Sequence, residues 1–325
     1  MEPKYNDILQ LGENRVALGK AIDPERPFAG STYAIADAET GRLLTDFRFR
    51  SVQNYRSSLA SVSDDEHTYF IGTDGKPAQG LPRWNGSGTL TLLGSVVQAN
   101  VDQRLSYYNL NLGKLVWTEN TAIPLTPPYV VKQHKYNPNP NYLVYYPQVE
   151  GIADRAAAER ANRRLRELSG VKPVPSGQLD YSYTGDFDVA FFRNALVVLE
   201  LNGYHYPWGA AHGMPSLIHA NLNLKTGRIY ELKDLFLPGS DYVETLSRIV
   251  GEQIRNDPQY DYVFPDTYKG IRADQPFYVT EDALHLYFEP YEIAPYAAGF
   301  PTFRIPFTEI DGIIDKQGEF WQAFH

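Results

Sequence analysis

The segment YHYPWGAAHGMPSLIHANLNL (204–224) carries three imidazoles, His205, His212 and His219, at intervals of seven residues. Two chemistries fit such a set: metal binding and general-base catalysis. A zinc site needs three or four ligands converging to about 2.0–2.3 Å of one ion. The stretch SLIHANLNL argues against convergence. Its apolar residues Ile218, Ala220, Leu222 and Leu224 alternate with His219, Asn221 and Asn223, so the polar set is expected on the solvent face of a strand. His205 alternates in the same way between Tyr204 and Tyr206. No metal and no cofactor are expected. A general base needs a nucleophile within hydrogen-bond reach and an orienting carboxylate. Ser216 is close in sequence to His212, but no G-x-S-x-G elbow surrounds it. No catalytic residue is assigned. His212 is expected to bond local backbone in the flexible bend Gly209–Gly213, where an unpaired polar group would cost roughly 1–3 kcal/mol.

The residues that suit binding are aromatic. One loop offers Tyr204, Trp208 and His212. A second, EPYEIAPYAAGF (289–300), offers Tyr291, Tyr296 and Phe300, with Glu289 and Glu292 beside them. If the loops adjoin, they form an aromatic patch edged by carboxylates. Rigid aromatic anchors dominate binding energy at protein interfaces, and carboxylates steer cationic partners. Aromatic platforms also suit sugars.

Composition sets the frame for these loops. Of 325 residues, 43% are hydrophobic and 24 are Tyr, as expected of a β-rich chain filling half-buried sheets. The formal net charge of −9 disfavours nucleic acid, since no net positive field collects phosphates. With no Cys, disulfides, thiolate catalysis and cysteine-bound zinc are excluded. No 18-residue apolar run spans a membrane. The opening MEPKYNDILQLGENR holds no apolar signal core, so export would need a signal or anchor ahead of it; a cytoplasmic location stays open.

The chain divides at its prolines. Residues 1–118 hold three similar stretches: STYAIADAETGRLL (31–44), HTYFIGTDGKPA (67–78) and LSYYNLNLGKLVW (105–117). Their leading tyrosines Tyr33, Tyr69 and Tyr107 are spaced 36 and 38 residues apart. Their turn glycines are Gly41, Gly75 and Gly113. Glycine there supplies the positive φ of a tight hairpin. The period predicts stacked β-meanders. Residues 119–141, with Pro124, Pro127, Pro128, Pro138 and Pro140, read as a linker or a crossing strand. In 142–325, strand YLVYYPQVEG (142–151) precedes a helix at 153–169 with an apolar stripe Ala157, Ala161, Leu165 and Leu168. Its five arginines read as a solvated face. A second helix over 241–256 turns Val243, Leu246, Ile249, Val250 and Gln253 to one side. The pairing Asp186/Asp188 and the run Asp64–Glu66 read as solvated charge. The fold class expected is mostly β plus α+β: β-meander repeats, then an α+β domain with a mainly antiparallel sheet and two packed helices.

Four pieces of 142–325 occur in one order: YYPQVEG before a helix bearing Asn162; YHYPWGAAHGMPS; LNLKTGRIYELKDLF; and FEPYEIAPYAAGFPTFRIP. Together they resemble the extracellular domain of the lysozyme-binding anti-sigma-V factor (RsiV) of Gram-positive bacteria. That module also accompanies a peptidoglycan deacetylase (PdaC), outside its catalytic domain. The N-terminal part loosely resembles WG-type β-repeats, through Asp74-Gly75-Lys76. The resemblance implies a noncatalytic extracellular module that binds a protein such as lysozyme, or a cell-wall glycan. The implied surface is Tyr204, Trp208, His212, Tyr291, Glu292, Tyr296 and Phe300. Two alternatives stand beside it: a peptidoglycan-directed hydrolase or deacetylase using His212, and a cytoplasmic structural protein.

Overall fold

The computed structural model describes residues 4–325. The chain forms two compact units: one runs to Asn120 and takes in Pro207–Ala211, the other comprises Thr121–Tyr206 and His212–His325. The fold is mostly β with an α+β region, as the sequence predicts. No helix among the described residues is long and apolar enough to cross a membrane.

The first unit is three antiparallel meanders. The first contains β1 (Asp7–Gly12), β2 (Arg15–Ala21) and β3 (Ser31–Asp37). The second contains β4 (Ser51–Val52), β5 (Leu59–Ser63), β6 (His67–Gly72) and β7 (Trp84–Asn85). The third contains β8 (Gly88–Leu93), β9 (Val96–Val101), β10 (Arg104–Asn109) and β11 (Lys114–Thr118). The tyrosines Tyr33, Tyr69 and Tyr107 fall on β3, β6 and β10. Gly41, Gly75 and Gly113 take φ of 69°, 77° and 63°, the left-handed conformation that their turns require. Successive meanders share apolar cores. Leu11, Ile35 and Phe49 of the first region pack with Val62 and Ile71 of the second, and Phe70 packs with Leu90 and Val97 of the third. Asp64 closes the β5–β6 turn by accepting the amides of Glu66 and His67, so the acidic run there is turn chemistry.

The proline-rich stretch enters the second unit as structure. It supplies β12 (Ala122–Pro124) and β13 (Val130–Asn139), which pair antiparallel. They begin a six-stranded sheet ordered β12-β13-β14-β15-β16-β17, with β14 (Tyr142–Glu150), β15 (Tyr181–Arg193), β16 (Leu196–Pro207) and β17 (Met214–Asn223). The β14–β15 step is parallel, and α1 (Arg155–Leu168) makes the crossover. A second, three-stranded sheet contains β18 (Phe277–Val279), β19 (Ala283–Tyr287) and β20 (Thr302–Pro306). Between the sheets in sequence lies α2 (Tyr242–Asn256), and the short α3 (Glu319–Gln322) ends the chain.

Two cores explain this arrangement. Ala157, Ala161 and Leu165 of α1 pack on Val197, Leu199, Ala220 and Leu222, one face of the β16–β17 hairpin. Leu196 and Val198 point the other way, into a core with Leu246, Ile249 and Val250 of α2 and Leu284, Leu286, Phe303 and Ile305 of the second sheet. The run Leu196–Leu199 is buried on both faces, which is why it reads as continuous apolar sequence and not as alternation. Helix α1 starts at Asp154, whose side chain accepts the Ala157 amide at 3.0 Å. Asn162 then fixes it to the sheet. Its Oδ1 accepts the Val149 amide at 2.7 Å and its Nδ2 donates to the Val149 carbonyl at 2.9 Å.

Asn162→Ala leaves both Val149 backbone groups without that partner. We expect a loss of about 1–3 kcal/mol of stability, measured by urea denaturation, with an unchanged far-ultraviolet spectrum.

Candidate functional site

The bend before β17 and the loop between β19 and β20 meet in the second unit. His212 stacks on Tyr296, with ring centroids 4.2 Å apart, and Tyr291 lies 6.4 Å from the imidazole. Both imidazole nitrogens are engaged: Nδ1 lies 2.9 Å from the Gly213 carbonyl oxygen and Nε2 lies 3.3 Å from the Tyr291 hydroxyl. Phenols hold the adjoining backbone. Tyr204 accepts the Gly213 amide at 2.9 Å, and Tyr296 donates to the Gly213 carbonyl at 3.0 Å. Thus Tyr204, His212, Tyr291 and Tyr296 form one cluster. Tyr291 is 52% exposed and Tyr204 39% exposed, and Met214, next after Gly213, is 42% exposed.

Tyr291 sits in an unusual backbone. The Glu292 amide donates to the Glu289 carbonyl at 3.0 Å, closing a turn through Pro290 and Tyr291. Tyr291 has φ 71°. Proline followed by a positive-φ residue is the type II pattern, in which glycine or asparagine normally takes Tyr291's place. A bulky side chain there costs of order 1 kcal/mol. The fold tolerates that cost and keeps the ring at the surface.

The other residues of the expected surface fall differently. Glu292 is tied up: it pairs with Arg272 at 2.5 Å, and its second oxygen accepts the Glu289 amide. Glu289 is the more open carboxylate. Burial and the Glu292 charge hold its carboxyl above the ordinary range. Phe300 lies edge-on to the buried Tyr287, 6.3 Å away, as part of the loop's packing. Trp208 belongs to the Pro207–Ala211 segment of the first unit, where Phe28 approaches Gly209.

The three histidines do not converge. His205 is exposed and rests on Tyr181, 4.7 Å between centroids. The expectation that His219 faces solvent is wrong, because the second sheet covers that face of β17. The His219 side chain is 3% exposed. Its ring stacks on Tyr278 at 4.3 Å, and Tyr278 stacks in turn on His285 at 4.5 Å. Asn221 and Asn223 are buried on the same face. The signal was present in the neighbouring strand: an apolar run such as ALVVLEL (195–201) needs cover on both sides. Glu200, which the sequence reading did not single out, lies opposite His219 in the β16–β17 register. Its Oε2 is 3.2 Å from His219 Nε2. A carboxylate there selects the tautomer with hydrogen on Nε2, leaving Nδ1 as a buried acceptor with no partner. Burial lowers the His219 pKa, while the Glu200 charge and hydrogen bond oppose that shift. Among the described residues, no group of three or more His, Cys, Asp or Glu is placed to hold a metal.

Tyrosines also close the free edge of the six-stranded sheet. Tyr287 Oη accepts the His219 amide at 3.2 Å and donates to the Leu217 carbonyl at 3.3 Å. Tyr204 and Tyr296 hold Gly213, just ahead of β17, through hydroxyls in the same way.

Residues 233–308 match the model of a protein family of unknown function, DUF3298. No curated protein matches the chain. Among solved structures, a DUF3298 family member from Bacteroides fragilis is 18% identical, with a TM-score of 0.47, over 63% of this chain and 99% of its own. A DUF3298 family protein from Pseudomonas aeruginosa is 21% identical, with a TM-score of 0.45, over the same shares.

The half-buried His285 generates a pH prediction. Burial, then the Arg304 charge, holds its pKa down to about 4, against 6.5 for the free side chain. The unfolded chain therefore binds the proton more tightly between those values, so stability is full above pH 6.5 and falls as pH drops toward 4. The loss from this group is roughly 1–2 kcal/mol, below the full shift because the residue is only partly buried. Thermal unfolding across that window should show the decline, and His285→Asn should flatten it.

Proposed function

We propose that the chain is a noncatalytic, exported binding module of the bacterial cell envelope. Its Tyr204–His212–Tyr291–Tyr296 cluster docks a partner, in the manner of the anti-sigma-V-type domain that the second unit resembles. The partner is a cationic protein such as lysozyme. The observation that carries this reading is Tyr291, held half-exposed in a strained turn that glycine would fill more easily. Strain kept at the surface contributes nothing to the core, and it preorganises an aromatic anchor. The exposed Glu289 beside it suits a cationic contact, although Glu292 is already neutralised by Arg272. The engagement of both His212 nitrogens by local partners supports binding over general-base chemistry at this residue.

Isothermal titration of the chain with hen-type lysozyme, and separately with soluble peptidoglycan fragments, tests the proposal. Lysozyme is expected to bind, with affinity weakening as salt is raised. Tyr291→Gly separates function from folding: stability should hold or rise by up to about 1 kcal/mol, while partner affinity falls at least about tenfold. Failure of lysozyme to bind removes this partner. Retained affinity in Tyr291→Gly removes the cluster as the contact.

A further inference from the structure

The three meanders of the first unit form a series in which each covers a face of the one before. One register recurs in all three. Phe49 lies opposite Tyr33, Trp84 opposite Thr68 and Trp117 opposite Tyr107, so each aromatic flanks β3, β6 or β10. Phe49 is fully buried, in a core with Val62 and Ile71 of the second meander. Trp84 is half-buried and lies edge-on to Tyr108 of the third meander, 6.1 Å away. Trp117 has no following meander and is 48% exposed. The second meander, Ser51–Asn85, has a neighbour on both sides and exposes no large apolar side chain. The end meanders do: Ile8 on β1 is 65% exposed and Leu93 on β8 is 51% exposed. An end repeat that is not built to stack carries a polar outer face.

The contact between the second and third meanders shows what such a face receives. Ser61 Oγ accepts the Leu90 amide at 2.9 Å, and Ser63 Oγ accepts the Gly88 amide at 3.3 Å. Hydroxyls of one meander therefore bind the first strand of the next, beside Phe70 and Trp84. The third meander offers the same chemistry on its far side. Leu90, Val97 and Ala99 point toward the second meander, so Thr91, Gln98, Tyr107 and Trp117 form a row on the opposite face. At the other end of the series, Ala17 and Ile35 pack toward the second meander, so the row Ile8, Leu18 and Ala34 faces away.

We propose that the outer face of the third meander, centred on Trp117, receives the first meander of a second copy of this chain. The pairing continues the series by the same face-to-strand contact, and it covers both Trp117 and Ile8. Charge favours this arrangement over third meander on third. Residues 88–118 hold one acid, Asp102, against Arg104 and Lys114, whereas residues 7–37 hold five acids against three bases. A slightly basic meander thus meets a slightly acidic one.

Sedimentation equilibrium of the full chain across about 1–100 μM tests the proposal, and the mass should rise above one chain with concentration. Trp117→Ser and Ile8→Ser should each weaken association at least about tenfold. Thermal stability should change little in either, because both side chains already face water. Mixing the two variants should restore association, since one supplies an intact first meander and the other an intact third. Tyr291→Gly should associate like the unaltered chain, which separates this contact from the aromatic cluster of the second unit. A single-chain mass at every concentration, or undiminished association in either Trp117→Ser or Ile8→Ser, would overturn the proposal. So would a mixture of the two variants that fails to associate.

Discussion

The second unit depends on one junction: the polar face of β17 against the three-stranded sheet. Most strands of this kind would show His219, Asn221 and Asn223 to water. Here they are enclosed, and each must find partners or cost stability. Asn223 donates to the Tyr230 hydroxyl at 2.7 Å, and His219 meets Glu200 and lies between tyrosine rings. Tyr287 joins the sheets most directly, since its hydroxyl bridges two backbone groups of β17 while its own carbonyl accepts from the buried Gln275 at 2.6 Å. Because β19 is pinned there, the loop that follows it is delivered to the start of β17. The aromatic cluster of Tyr204, His212, Tyr291 and Tyr296 is thus a consequence of how two sheets are fastened.

The same junction shows what the fold gives up for specificity. A fully apolar interface would avoid the unpartnered Nδ1 of His219. The polar version fixes register: a one-residue slip of β17 would carry Ile218 and Ala220 to the polar side and break the bond to Glu200. The imidazoles of His219 and His285 flank Tyr278 and are both held neutral by burial, the dominant cause in each. The interface is therefore well matched to neutral solution, and acid works against it.

Much of this was legible in the chain. The meander repeat, its tyrosines and its positive-φ glycines follow from spacing and from turn stereochemistry. Helices α1 and α2 were visible as periodic stripes, because a helix that covers one sheet face must be apolar on one side only. The histidine on β17 was misjudged for a physical reason. Alternation within one strand tells which residues share a face, but not whether another layer covers that face. That information sat in the adjacent strand, in the unbroken apolar run Leu196–Leu199. The pairing of Glu292 with Arg272 was also beyond local pattern, since the partners lie twenty residues apart. The meeting of the two aromatic loops was conditional in sequence, because no local signal says which loops a sheet junction will bring together.

Charge adds a final step. A net charge of −9 is an average, and averages conceal segregation. At the aromatic loops the exposed ionisable group is Glu289, whereas at α1 arginine prevails over glutamate and two of the guanidinium groups have no salt-bridge partner. The unit thus carries an aromatic region built on loops and an arginine-rich one built on a helix, and Glu289 borders the same hollow as Arg160 and Arg164. Each sits on a rigid support, the first on the pinned β17–β19 junction and the second on a helix locked to β14 by Asn162. Preorganised supports reduce the entropy lost on docking.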